Sequence, residues 1–180
     1  MKQAVERITA GIDWACEAGA WVAAACCAVL AAMLFVESIS TAAFAWSQPW
    51  AVEYAAYLCG LSLILGSGYA LRHGAHIRVE VLLNLAPRRL ARGIDLACTL
   101  LALWIAGFLF AGLLELALRS RALKSVSYFA MQTPLWIPQG ALALGVALLF
   151  LALAARALRL VAGLSVTAPT ERDPVVDAAT

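Results

Sequence analysis

His73 and His76 are the only histidines in the chain, three residues apart. On one helix that spacing can hold a metal or a haem iron, since neutral imidazole is a common ligand. Gly74 lies between them, however, and no second histidine pair or neighbouring cysteine completes a ligand set. The five cysteines, Cys16, Cys26, Cys27, Cys59 and Cys98, lack the C-x-x-C spacing of a zinc or redox site. Most lie inside apolar runs, where cysteine acts as a small apolar packing residue. Three acids interrupt or flank apolar segments: Glu37, Glu53 and Glu115. An ionisable group in such a segment is expensive and is a functional candidate by default. No nucleophile–base pair and no phosphate-cradling loop appears, and Gly66-x-Gly68 suits close helix packing better than nucleotide binding. No catalytic, cofactor or metal site is expected.

These residues are embedded in a chain that cannot cover itself with polar surface. Of 180 residues, 64% are hydrophobic and 13% charged, about half the roughly 25% charged residues of a soluble domain. The net charge of +2 is too small to suggest nucleic acid. Residues 18–36, 54–71, 96–114 and 125–155 carry no charge, and a helix crossing the hydrocarbon core needs about 20 mostly apolar residues. Pro134 and Pro138 place the start of the last helix near Leu135. The expected fold is all-α: an integral membrane four-helix bundle within one domain over residues 1–166, with spans at about 16–45, 52–72, 94–118 and 135–159. Open sheet edges are excluded because lipid cannot satisfy them. Asp13 and Glu17 interrupt the approach to the first apolar run, so the N-terminus is expected to be an uncleaved anchor and not a signal peptide. Residues 167–180 are polar, rich in small residues and expected to be disordered.

Cations set the orientation. Lys2 and Arg7 precede the first span; Arg72, Arg78, Arg88, Arg89 and Arg92 fall between the second and third; Arg156, Arg159 and Arg172 follow the fourth. With both termini cytoplasmic, these ten face inward and only Arg119, Arg121 and Lys124 face outward, as the positive-inside rule requires of the majority. The outward three read either as a solvated loop or as an electrostatic dock for an acidic partner. Trp46, Trp50 and Trp136 mark the outer interface. Glu53 stands at the outer start of the second span, where the helix dipole favours an anion; capping with a structural ion pair, or contact with a partner, would each account for it. Glu115 precedes Arg119 by four residues and suits an i,i+4 pair.

The stretch between spans two and three, GYALRHGAHIRVEVLLNLAPRR, is basic and half apolar. Ile77, Val79 and Val81 alternate with His76, Arg78 and Glu80 as in a strand, whereas Val79, Val81, Leu82, Leu83, Leu85 and Ala86 gather on one broad helical face. A lone strand at a membrane surface has no pairing partner, so an amphipathic helix over 76–86 on the cytoplasmic surface is expected. Pro87 ends it, and Arg88, Arg89 and Arg92 are candidates for anchoring to lipid phosphates.

These motifs, in this order, resemble the small membrane subunit of tripartite ATP-independent periplasmic (TRAP) transporters, the DctQ-like family. The resemblance rests on Trp50-x-x-Glu53, on Gly66-x-Gly68-Tyr69, on the run Leu71-Arg72-His73-Gly74-Ala75-His76-Ile77-Arg78-Val79-Glu80, on Leu85-Ala86-Pro87 and on Thr133-Pro134-Leu135-Trp136-Ile137-Pro138. It covers about residues 10 to 160, and Glu80 stands where the family usually has Asp. The resemblance implies a non-enzymatic scaffold in the bacterial inner membrane. It implies a large permease subunit carrying substrate and sodium, and a periplasmic binding protein delivering an organic acid. Trp50, Glu53, Gly66, Gly68, Arg72, Gly74, His76, Arg78, Glu80, Pro87, Pro134 and Trp136 then become candidate family-motif or subunit-interface residues. Arg119, Arg121 and Lys124 become candidates for docking the binding protein. The main alternative is a haem- or quinone-binding electron-transfer subunit, which would want histidines facing each other across the bundle. A self-sufficient small transporter would want polar groups at mid-span and a broken helix. The substrate and the coupling ion are not written in this chain.

Overall fold

A computed structural model describes residues 2–73 and 88–162. The described chain is four helices: α1 (Lys2–Phe44), α2 (Ala51–Arg72), α3 (Arg88–Ala122) and α4 (Trp136–Ala162). All four are long and apolar enough to cross a membrane. The all-α four-helix bundle expected from the charge-free runs is the observed fold. The surface helix expected over residues 76–86, with Gly74, His76, Arg78, Glu80 and Pro87, lies outside the described residues, as does the tail over 167–180.

Two helices outrun the expected spans. α1 starts at Lys2 instead of near residue 16, and α3 runs from Arg88 to Ala122 instead of 94–118. The expected limits followed where charge appears, but charge does not end a helix. Arg, Glu and Ala are good helix formers, and no proline interrupts either extension. At 1.5 Å per residue α1 is about 65 Å long, roughly twice a hydrocarbon core of about 30 Å. Its last turns pass the start of α2, and the chain folds back along them. Glu37 holds that return: its carboxylate accepts the Ser47 hydroxyl at 2.8 Å and the Gln48 backbone N–H at 2.9 and 3.1 Å.

Among the described residues α1, α2 and α4 pack against one another, and α3 packs on α4 alone. Small residues permit the three-way contact. A Cβ on Gly68 would meet the Cys16 sulfur at 3.2 Å, one on Gly19 would meet the Leu65 carbonyl at 3.3 Å, and one on Gly145 would lie 2.5 Å from Ile64 Cγ2. In lipid, apolar contact with neighbours is no better than contact with acyl chains, so close backbone approach is what makes helices associate. α3, lacking this contact with α2, leaves an apolar groove of about 600 Å³ between α2, α3 and α4, lined by residues such as Ile64, Leu71, Ala102, Leu109, Leu149 and Leu153.

α3 ends with Lys124 in the left-handed region at φ 50. Ser125 N–H donates to the Ser120 carbonyl and Lys124 N–H to that of Arg121, which satisfies carbonyls the helix end leaves free. The chain then makes a short antiparallel hairpin: Ser127 N–H donates to the Thr133 carbonyl at 2.9 Å and Leu135 N–H to that of Ser125 at 3.1 Å. Its tip presents Tyr128, Phe129 and Met131 outward.

Candidate functional site

The bundle has two polar ends and an apolar middle. At the end where α1 begins and α4 finishes, four helices meet through ion pairs. Asp13 of α1 accepts from Arg159 of α4 and pairs with Arg72 Nε of α2 at 3.4 Å. Asp95 of α3 receives Arg156 Nη2 of α4 on both carboxylate oxygens, at 2.8 and 3.0 Å. Arg156 Nε donates to the Thr99 hydroxyl at 3.3 Å, and that hydroxyl donates to the Asp95 carbonyl at 2.7 Å. Arg156 is only 6% exposed. Its Nη1 has no hydrogen-bond partner. Three cations face two carboxylates here, so this set of five carries one unmatched positive charge. Cys16 is buried beside it, one turn from Asp13.

None of Asp13, Asp95 or Arg156 stood out in the sequence as a site. Each lies about two to three turns inside its helix end, where a charge reads as the edge of a span. A usable signal was present: Asp95 near the start of one helix and Arg156 near the end of the next lie at the same depth on antiparallel neighbours. Arg72, expected to end α2 by reaching the headgroups, is also a member of this network.

At the opposite end the residues fall into two groups. Glu53, in the first turn of α2, is 1% exposed. It accepts the Tyr57 hydroxyl at 3.1 Å, and its other oxygen has no partner. The rings of Trp50, Tyr54 and Tyr57 follow one another edge to face at 6.4 and 6.3 Å, and Tyr54 meets the Thr133 hydroxyl at 3.5 Å. Glu53 is thus sealed within its own chain. The second group is cationic and exposed. Arg119 pairs with Glu115 at 2.6 Å, the i,i+4 pair expected from their spacing. Arg121 lies over the Trp136 ring at 5.6 Å, a cation–π contact that ties the end of α3 to the start of α4. Lys124 supplies the left-handed residue that ends α3. The three cations share one rim but are not equally free: Arg121 is engaged by Trp136, and Arg119 by an exposed pair of the kind worth well under about 1 kcal/mol.

Gly66 and Gly68 sit at the α1–α2 contact, against Ala23 and Cys16. Pro134 stands in the hairpin, its residue bridged to Val126. Arg88, Arg89 and Arg92 fall in the first two turns of α3, the first of which contains no acid. His73 stacks on Tyr69 at 3.9 Å, with Nδ1 3.1 Å from the Tyr69 carbonyl. His76 lies outside the described residues, so the histidine spacing has no described geometry. Among the described residues no group of three His, Cys, Asp or Glu side chains could hold a metal ion.

The arrangement offers ion pairs that join helices, a cationic outer rim and long apolar faces, and its charged residues stand at the ends of the spans. A search of curated proteins returns no match. The family model for the DctQ component of tripartite ATP-independent periplasmic transporters matches residues 30–163, from the middle of α1 to the end of α4. With about three quarters of the chain matched and four membrane-crossing helices in place, this protein belongs to the DctQ family, the small subunit of TRAP transporters, and is a multi-pass inner-membrane protein.

Proposed function

We propose that the chain is a non-catalytic scaffold. It assembles with a large permease subunit that carries the substrate and sodium, and with a periplasmic binding protein that delivers an organic acid. The observation that carries this reading is the family match combined with spans 18–36, 54–71, 96–114 and 136–155 that hold no charged residue. A carrier of ions and acids needs polar groups near mid-membrane, so the partner supplies them. Both termini lie in the cytoplasm, following the excess of cations at that end. An impermeant thiol reagent on intact cells should therefore label Tyr128→Cys and spare Arg7→Cys, each in a cysteine-free background. The opposite pattern would reverse the topology.

The outer rim of Arg119, Arg121 and Lys124 docks the binding protein through an acidic patch. Vesicles holding this chain alone should show no sodium-dependent uptake of organic acids. Vesicles holding it with the large subunit should respond to added binding protein. In those vesicles Arg119→Glu with Lys124→Glu should raise the binding-protein concentration needed for half-maximal uptake by about tenfold at low salt, because surface charge chiefly speeds encounter. The difference should shrink at high salt, where the screening length falls below about 8 Å. Arg121 is left intact because its stacking on Trp136 is structural. Uptake by the chain alone would sink the scaffold reading. A double variant that assembles normally and overlays wild type at low salt would reduce the rim to a solvated loop.

A further inference from the structure

The apolar groove between α2, α3 and α4 ends at Asp95 and Arg156. Along α3 it runs from Asp95 to Leu113, about 27 Å at 1.5 Å per residue. The half nearest Arg156 is therefore one leaflet deep, since the whole hydrocarbon core is about 30 Å. Its volume of about 600 Å³ is that of a small-molecule site. A membrane-crossing helix, about 10 Å across and 30 Å long, would fill on the order of 2,000 Å³.

Charge singles out the occupant. Arg156 lines the groove, is 6% exposed and keeps one guanidinium nitrogen without a partner. The ion-pair network around it carries one positive charge more than its carboxylates cancel. α3 opens, a few residues before the groove-lining Asp95, with Arg88, Arg89 and Arg92 in its sequence and no acid in its first turn. Cations at a helix N-terminus oppose the dipole, which favours anions there. Three arginines and two aspartates thus meet where an apolar channel reaches the headgroup level, three more arginines stand in the sequence at the start of α3, and excess positive charge at the edge of hydrocarbon calls for a counter-anion.

We propose that this half of the groove is a binding site for one anionic phospholipid, with an acyl chain along α3 and the phosphate at the arginine-rich mouth. In the orientation proposed above the lipid comes from the cytoplasmic leaflet. The site rests on membrane insertion and not on the transport partners, so a failed uptake experiment leaves it standing.

The test is native mass spectrometry of the purified chain, and of its complex with the large subunit, after incubation with equal amounts of phosphatidylglycerol and phosphatidylcholine bearing identical acyl chains. Wild type should retain one lipid, with phosphatidylglycerol favoured about tenfold. Replacing Arg88, Arg89 and Arg92 together by Gln should bring the ratio close to one, with helicity unchanged by circular dichroism. Ala102→Phe, which fills the channel without touching the charges, should abolish retention of both lipids. Equal retention of the two lipids by wild type would overturn the proposal. So would phosphatidylglycerol retention unaffected by Ala102→Phe, or loss of the lipid on assembly, which would mean that the large subunit covers the groove.

Discussion

Asp95→Ala is expected to destabilise the bundle by about 3 kcal/mol, with α3 coming loose first. Breaking one side of a buried pair leaves the other charge uncompensated, at a typical cost of about 3–5 kcal/mol. The lower end applies because the Asp95 side chain keeps 23% of its exposure while Arg156 keeps 6%. Among the described residues α3 packs on α4 alone, so no second described helix holds it if this tether fails. Replacing both partners, Asp95→Leu with Arg156→Leu, should recover stability to within about 1 kcal/mol of wild type, since two apolar residues need no compensation. The measurement is unfolding in mixed micelles of rising denaturing-detergent fraction, with a fluorophore on the exposed Cys98 of α3 in a background free of other cysteines. Equal losses in the single and double variants would mean that the pair does not tether α3.

Gly145→Ala should cost about 1–3 kcal/mol and push α2 away from α4. The added Cβ would sit 2.5 Å from Ile64 Cγ2, 3.4 Å from Ile64 Cβ and 3.5 Å from the Leu65 amide nitrogen. Ile64 Cγ2 is bonded directly to Cβ, and a β-branched residue in a helix has essentially one χ1 rotamer. It cannot swing clear as the end of a flexible chain could. The backbones must separate instead, at the typical cost of overpacking. Ile64→Ala should relieve the clash, so the pair of substitutions should destabilise by less than the sum of the singles, with a coupling of at least about 0.5 kcal/mol. Additive losses would show that α2 and α4 do not meet at this point.

The sequence by itself determined the fold class and the number of spans. Lipid leaves a chain with four long uncharged runs no alternative to helices that satisfy their own backbone. It also determined pairings between near neighbours, such as Glu115 with Arg119, because a helix brings residues four apart together wherever it stands. Gly66 and Gly68 were legible as packing positions for the same reason: a missing side chain matters only where backbones approach. The helix limits were less legible. Charge marks where a membrane ends, and a helix continues past that mark until its backbone is stopped, as at Lys124.

Tertiary structure alone decided which distant charges meet. Asp13 with Arg72 and Arg159, and Asp95 with Arg156, join residues from different helices. Their pairing depends on rotation and depth, which hydrophobic periodicity leaves open in a helix apolar on all sides. The same freedom hid the burial of Glu53. At the start of a span an acid reads as a headgroup-level cap, but the rotation of α2 turns this one inward, against its own tyrosines. The groove had no sequence signal at all. It exists because α3 packs on α4 and not on α2, and the space between helices is a property of their arrangement and of no residue taken alone.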